Sequence, residues 1–183
     1  MKKIMFNDKY GLTKAVLDGR KTQTRRIVPK EFFTFVVENE FGEFVDIINT
    51  KYCMFKVGEI VAVAQSYNSF YNDECNPVLF PSGAGWTNKM YVKPELMPHQ
   101  IRITDVRVER LQDISDEDCL KEGILTFYFG KCKFPPDGYT FDNGKTHFNT
   151  PREAYAELID KVSGKGTWEK NPYVFVYDFE LVK

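Results

Sequence analysis

The chain has 183 residues, enough for one domain with a sizeable core and short for two. Its hydrophobic fraction of 43% and charged fraction of 28% are those of a globular protein, which excludes a collagen-like, low-complexity or wholly disordered chain. With 25 basic against 26 acidic residues the formal net charge is −1, which argues against non-specific grip on duplex DNA but leaves a local basic groove open.

The opening "MKKIMFNDKY" reaches the polar "NDK" after three apolar residues, too few for a secretory signal. No run nears the ~20 apolar residues that span a bilayer. A cytoplasmic chain without a membrane segment is expected, and Cys53, Cys75, Cys119 and Cys132, spaced with no C-x-x-C, are expected to be reduced. "NDKYGLTKAVLDGRK" predicts a short helix with Leu12, Ala15 and Val16 on one face and Gly19 closing it. "TQTRRIV" then reads as extended up to Pro29, and "FFTFVVENEFGEFVDII" as a hairpin turning around Asn39 to Gly42. In "KVGEIVAVAQSY" the strand after Gly58 is apolar on both faces, which predicts an interior position.

Residues 68–99 are rich in Asn, Pro, Gly and Ser and predict a long insertion loop in which Trp86 anchors packing. In "HQIRITDVRVERLQDIS" Ile101 and Ile103 share one parity, Val106 and Val108 the other. A bulge near Thr104–Asp105 would restore a single core face and curve the sheet. "SDEDCLKEGI" predicts a helix of about two turns capped by Ser115 and stopped at Gly123. Residues 125–149 have room for one hairpin. "TPREAYAELIDKVSGKG" is the clearest helix, with Thr150 as N-cap, Glu153 completing a capping box, and a stripe of Ala154, Tyr155, Leu158, Ile159 and Val162. "PYVFVYDFELV" is an aromatic strand in which Asp178 and Glu180 mark an outward face. Strands outnumber short, scattered helices, which favours an α+β domain built on a curved sheet or barrel.

The common catalytic motifs are absent: no G-x-S-x-G, P-loop or dinucleotide fingerprint. His99 and His147 lie in no metal-ligand pattern, so neither a metal nor another cofactor is expected, and His99 is read as a surface residue. What stands out is "GRKTQTRRIV", where Arg20, Lys21, Arg25 and Arg26 surround Thr22, Gln23 and Thr24. Three readings fit these residues. They form a solvated edge strand whose charges discourage aggregation, or an anion site of Arg forks and a Lys charge. Alternatively they form a catalytic group in which Lys21, lowered in pKa by burial and cationic neighbours, activates Thr24.

"LDGRKTQTRRI", "KVGEIVAV", "RITDVRVERLQDISDEDCLKEGI" and "WEKNPYVFVYDFEL", taken in order, resemble successive signatures of the ASCH-domain family, from about residue 5 to residue 181. The length and the 68–99 insertion resemble its longer, phage-associated and bacterial branch. The resemblance implies a single ASCH domain over 1–183: a small PUA-like β-barrel with flanking short helices beside a cleft. It implies binding of RNA or a nucleotide-like small molecule, with Arg20, Arg25 and Arg26 as ligand contacts. Gln65 and Tyr67 fall where longer members carry an acidic residue and a Trp; both are expected to face the ligand, and Gln65 cannot act as a carboxylate base. One branch of the family hydrolyses the acetyl amide of N(4)-acetylcytidine with the lysine and threonine of "RKTxT" and a glutamate after the long strand. Those positions fall on Lys21, Thr24 and Glu122, with Glu117 as the alternative to Glu122. The function expected first is therefore binding of RNA or a nucleotide-like ligand in a cationic cleft, with amidohydrolysis of an acylated nucleoside as the alternative and a phage-derived interaction module using the insertion as the third.

Overall fold

The computed structural model describes residues 1–31, 50–70, 83–128, 136–142 and 144–182. The strands are β1 (Lys2–Ile4), β2 (Gln23–Ile27), β3 (Ile60–Val63), β4 (Gln100–Arg110), β5 (Leu125–Phe127), β6 (Gly138–Thr140) and β7 (Tyr173–Leu181). The helices are α1 (Leu12–Leu17), α2 (Asp116–Lys121), α3 (Pro151–Ser163) and α4 (Thr167–Lys170). The result is a mixed α/β fold. Five strands form one sheet in the order β1-β3-β4-β7-β2, and β5 and β6 form a separate hairpin. The hairpin expected over residues 32–48 lies outside the described residues.

β3 is interior, as its apolar faces require. It pairs parallel with β1 and antiparallel with β4, and Val61, Ala62 and Val63 have no exposed surface. Val61 and Val63 belong to the main core, while Ala62 meets Ala64, Val92 and Met97 in a smaller cluster on the other face. β4 and β7 form the long central pair, and the ladder shifts register between Ile103 and Asp105. Thr104 and Asp105 are both exposed there, so Ile101, Ile103 and Val106 all stay buried. That bulge is how one strand keeps a single core face across a change of parity.

Among the described residues no strand pairing joins the outer strands β1 and β2, so the sheet is open rather than closed into a barrel. The curvature nonetheless brings its two edges together. Arg26 Nη2 of β2 donates to Met5 O, one residue past β1, at 2.6 Å, and the neighbouring Phe6 ring packs on Phe179 of β7 with centroids 5.8 Å apart. α3 starts at the predicted capping box, with Thr150 accepting from Glu153 N and Glu153 reaching back. It buries Ala154, Tyr155, Leu158 and Ile159. The described end of the insertion is pinned to the sheet: Lys3 Nζ donates to Met90 O at 2.6 Å and Val92 O at 2.8 Å, and Trp86 packs on Tyr67. Among the described residues no helix is long and apolar enough to cross a membrane.

Candidate functional site

β2 is an edge strand, and its free side borders a cavity of about 360 Å³. Met5, Phe6 and Asn7 supply one wall, Leu158, Ile159 and Val162 of α3 another, and Lys21, Thr24, Arg25, Arg26 and Glu122 the polar part. Side chains alternate across a strand, so Thr24 and Arg26 leave one face of β2 and Arg25 the other. Both faces contribute because the cavity lies at the strand's edge. The backbone follows the same logic. Phe179 N donates to Thr22 O at 2.8 Å and Val28 N to Tyr173 O at 2.9 Å, so the even-numbered residues bond to β7. The ladder alternation then turns the N–H and C=O of Gln23, Arg25 and Ile27 towards the edge.

Lys21 sits in the turn before β2. The chain reaches it through Gly19 at φ 72°, a left-handed position that suits glycine, and Arg20 N and Lys21 N both donate to Ala15 O at 2.9 Å. Lys21 is 2% exposed, and its ammonium meets Glu122 twice: Nζ donates to Oε2 at 2.5 Å and to the backbone O at 2.7 Å. Glu122 is aimed by the end of α2, where Ser115 caps the first turn and Gly123, at φ 105°, ends the helix. Burial lowers the pKa of Lys21 below its usual 10.5; Glu122 opposes that shift, while Arg26 and Arg25 add to it. Thr24 is buried, lines the same cavity, and its hydroxyl makes no side-chain hydrogen bond with any described residue.

The arginines are less available than their density suggests. The Arg25 side chain has no exposed surface, and its guanidinium meets three carboxylates: Glu109 at 2.6 Å, Asp118 at 3.4 Å and Glu122 at 3.2 Å. Burial alone would lower its pKa, but Glu122 and Glu109 raise it above the usual value. Gln23 also donates to Asp178 at 2.6 Å and accepts from Arg25. Arg26 is half-buried, makes no ion pair with a described residue, and spends a hydrogen bond on the neutral Met5 carbonyl. Arg20 is exposed, pairs with Asp18 at 3.3 Å, and does not line the cavity. Glu117 is likewise outside it, paired with Lys121 at 3.1 Å.

Gln65 and Tyr67 lie elsewhere. Gln65 is buried and bonded to His99 Nδ1 at 2.8 Å, and Tyr67 packs with Phe70 beside the smaller core cluster. His99 is therefore half-buried and tied to a buried amide, not a plain surface residue. Cys119 is buried with its pKa pushed up to about 12 by burial, which makes it an inert thiol. Among the described residues no group of His, Cys, Asp and Glu has the arrangement to hold a metal. The sequence reading did not include Tyr155 in the site. It belongs to the predicted α3 stripe, and nothing in the chain distinguishes it there from a core residue, yet it lines the cavity.

No family model matches the chain, and no curated protein matches it. Two solved structures are similar to it. A protein from Enterococcus faecalis, described as family-model DUF984, is 15% identical with a TM-score of 0.38 over 93% of this chain and 66% of that one. An ASCH domain from Lactobacillus crispatus is 12% identical with a TM-score of 0.40 over 97% of this chain and 76% of that one. The chain thus spans slightly less than two thirds of the length of the Enterococcus protein, and a likeness at this level carries no inference about what the chain binds.

Proposed function

We propose that the chain is an ASCH-type, PUA-like domain whose cavity takes a nucleoside-sized ligand and hydrolyses an acyl amide on its exocyclic amine, N(4)-acetylcytidine being the type substrate. The family assignment rests on the ordered motifs "LDGRKTQTRRI" to "WEKNPYVFVYDFEL". The chemistry rests on one observation: a buried Lys21–Glu122 pair shares a cavity wall with Thr24, whose hydroxyl has no side-chain partner among the described residues. The volume of about 360 Å³ supports a small ligand in preference to a strand of RNA, since small-molecule pockets start near roughly 300 Å³.

The pairing of Lys21 suits a general base. An ammonium has three N–H donors, and two are taken by Glu122. Loss of the third proton leaves both hydrogen bonds in place and frees a lone pair, and burial favours that neutral form. In this mechanism Thr24 Oγ1 attacks the acyl carbon and its proton passes to Lys21 Nζ. The C–N bond then breaks as Lys21 returns the proton to the departing amine. Water, deprotonated by Lys21, then attacks the Thr24 ester, and Lys21 returns that proton to Thr24 Oγ1 as the ester C–O bond breaks and the carboxylic acid leaves. The Arg25 N–H, turned to the strand edge beside Thr24, is the candidate donor to the oxyanion. Glu122 is a positioning residue that fixes Lys21.

The test is acetate release from N(4)-acetylcytidine by the purified chain. Turnover by the wild type that disappears in Lys21→Ala and Thr24→Ala supports the reading, and turnover that survives both substitutions, or none in the wild type, overturns it. One observation favours a second reading, nucleotide binding without hydrolysis: Arg26 lines the cavity with no carboxylate partner among the described residues, as a phosphate contact would. Under that reading a nucleoside monophosphate binds with salt-dependent affinity that Arg26→Ala abolishes.

A further inference from the structure

Tyr155 is 1% exposed, and among the described residues its hydroxyl is a buried polar atom with no hydrogen-bond partner. Such groups are rare in folded proteins because a buried hydroxyl gives up its water and needs a replacement. Tyr155 belongs to the main core, where its ring packs on Trp168, but it also borders the cavity. Tyr155 lines the cavity together with Leu158, Ile159 and Val162, one turn and two turns further along the same face of α3. Glu122 and Arg25, the groups that organise the polar end of the cavity, are among the charges that act on its hydroxyl, and burial keeps it a neutral phenol able both to donate and to accept.

We propose that Tyr155 is a ligand-contacting specificity residue, whose hydroxyl completes its hydrogen bonding on the polar edge of a heterocyclic base while the aliphatic side chains of α3 pack on that ring. This rests on the nucleoside reading of the cavity. Tyr155 selects a ring that carries a donor or acceptor and rejects an apolar ring of equal size, which would leave the hydroxyl unpaired.

The substitution Tyr155→Phe separates this from a packing role, because it keeps the ring and deletes the orphan oxygen. Three quantities are measured on the whole chain: Tm without ligand, the Kd for cytidine, and kcat and KM for N(4)-acetylcytidine. The expected result is a Tm raised by about 2–4 °C, with the Kd and KM each raised about tenfold and kcat little changed. A fall in Tm shows that the hydroxyl has a structural partner and overturns the inference. So does a variant whose Kd and KM equal those of the wild type, an outcome that leaves the hydrolytic reading intact. Cytidine binding weakened by the substitution in a protein that does not hydrolyse the acetylated nucleoside supports the inference and removes the hydrolytic reading. A wild type that neither binds cytidine nor turns over the acetylated form removes both.

Discussion

Replacing Glu122 by Gln keeps the shape of the side chain and deletes its charge, which isolates what the carboxylate does for Lys21. The two side chains are 6% and 2% exposed, so the ammonium is poorly hydrated when its partner goes. Removing one member of a buried pair costs about 3–5 kcal/mol. The lower end applies here. Lys21 keeps the Glu122 carbonyl at 2.7 Å, and Arg25 keeps Glu109 and Asp118. About 3 kcal/mol corresponds to a Tm lowered by about 6–12 °C in a domain of this size. The pH dependence gives the sharper test. Burial depresses the folded-state pKa of Lys21 below 10.5, and Glu122 opposes that shift, so Glu122→Gln depresses it further. Between that depressed pKa and 10.5 the unfolded chain holds more protons than the folded one, and stability rises with pH. The lower edge of this window falls in the variant. Its deficit relative to the wild type is therefore largest below the variant's depressed pKa and shrinks as pH rises through that window. Urea midpoints followed by the fluorescence of Trp86 and Trp168, at several pH values, measure this, with unchanged m values as the control. The double variant Lys21→Met/Glu122→Gln recovers part of the loss, because the stranded cation is gone. A deficit under about 1 kcal/mol, a deficit that does not vary with pH, or strict additivity with Lys21→Met would each refute a coupled buried pair.

Three further outcomes are expected. Thr24→Ser retains hydrolysis of N(4)-acetylcytidine, whereas Thr24→Ala abolishes it with a stability change within about 1 kcal/mol in urea titration, since the hydroxyl holds no described partner. Gly123→Ala lowers stability by more than about 1 kcal/mol, because Gly123 sits at φ 105° with the added methyl 3.4 Å from Leu12 Cδ2 and 3.7 Å from Lys21 Cβ; it also lowers kcat by displacing Glu122. Arg20→Ala leaves stability within about 0.5 kcal/mol and leaves activity unchanged, because Arg20 is exposed and outside the cavity, whereas Arg25→Met costs about 3 kcal/mol, the lower end for a broken buried pair, because Glu109 and Asp118 keep Arg107 and Glu122 keeps Lys21.

Much of the fold is legible wherever burial dictates parity. Ile101, Ile103 and Val106 cannot share a face without an extra residue, and the register shift falls between Ile103 and Asp105. Two apolar faces on "IVAV" require cover on both sides, and β3 has it from two separate clusters. Thr150 and Glu153 specify a helix start by local hydrogen bonds alone. What was not legible depends on distant partners. β1 is three residues long, too short for periodicity to register, and exists because β3 offers it an edge. Asp178 reads as an outward residue, but Gln23 and Arg107 both donate to it across neighbouring strands. The lysine and threonine of the site are visible in a local motif. Glu122 was placed by resemblance, 101 positions from the lysine it holds, and Tyr155 by nothing in the chain.

The concentration of positive charge in "GRKTQTRRIV" is the feature most easily misread, and the structure explains why. Charge density along a chain predicts a potential only if folding leaves those charges together and unopposed. Here folding brings Glu109 from β4, Asp118 from α2 and Glu122 from the end of α2 onto Arg25, and Glu122 onto Lys21 as well. Lys21 and Arg25 thus meet three carboxylates, Arg26 pairs with none among the described residues, and Arg20 is paired to Asp18 outside. A nearly neutral arrangement of this kind projects little field into solvent and gives a polyanion little steering. Within the cavity the same charges fix the position of an amine whose burial favours its neutral form. That is of more use to a reaction on an uncharged amide than to the capture of a phosphate chain, and it leaves Arg26 as the cation through which a phosphate-bearing ligand would be recognised.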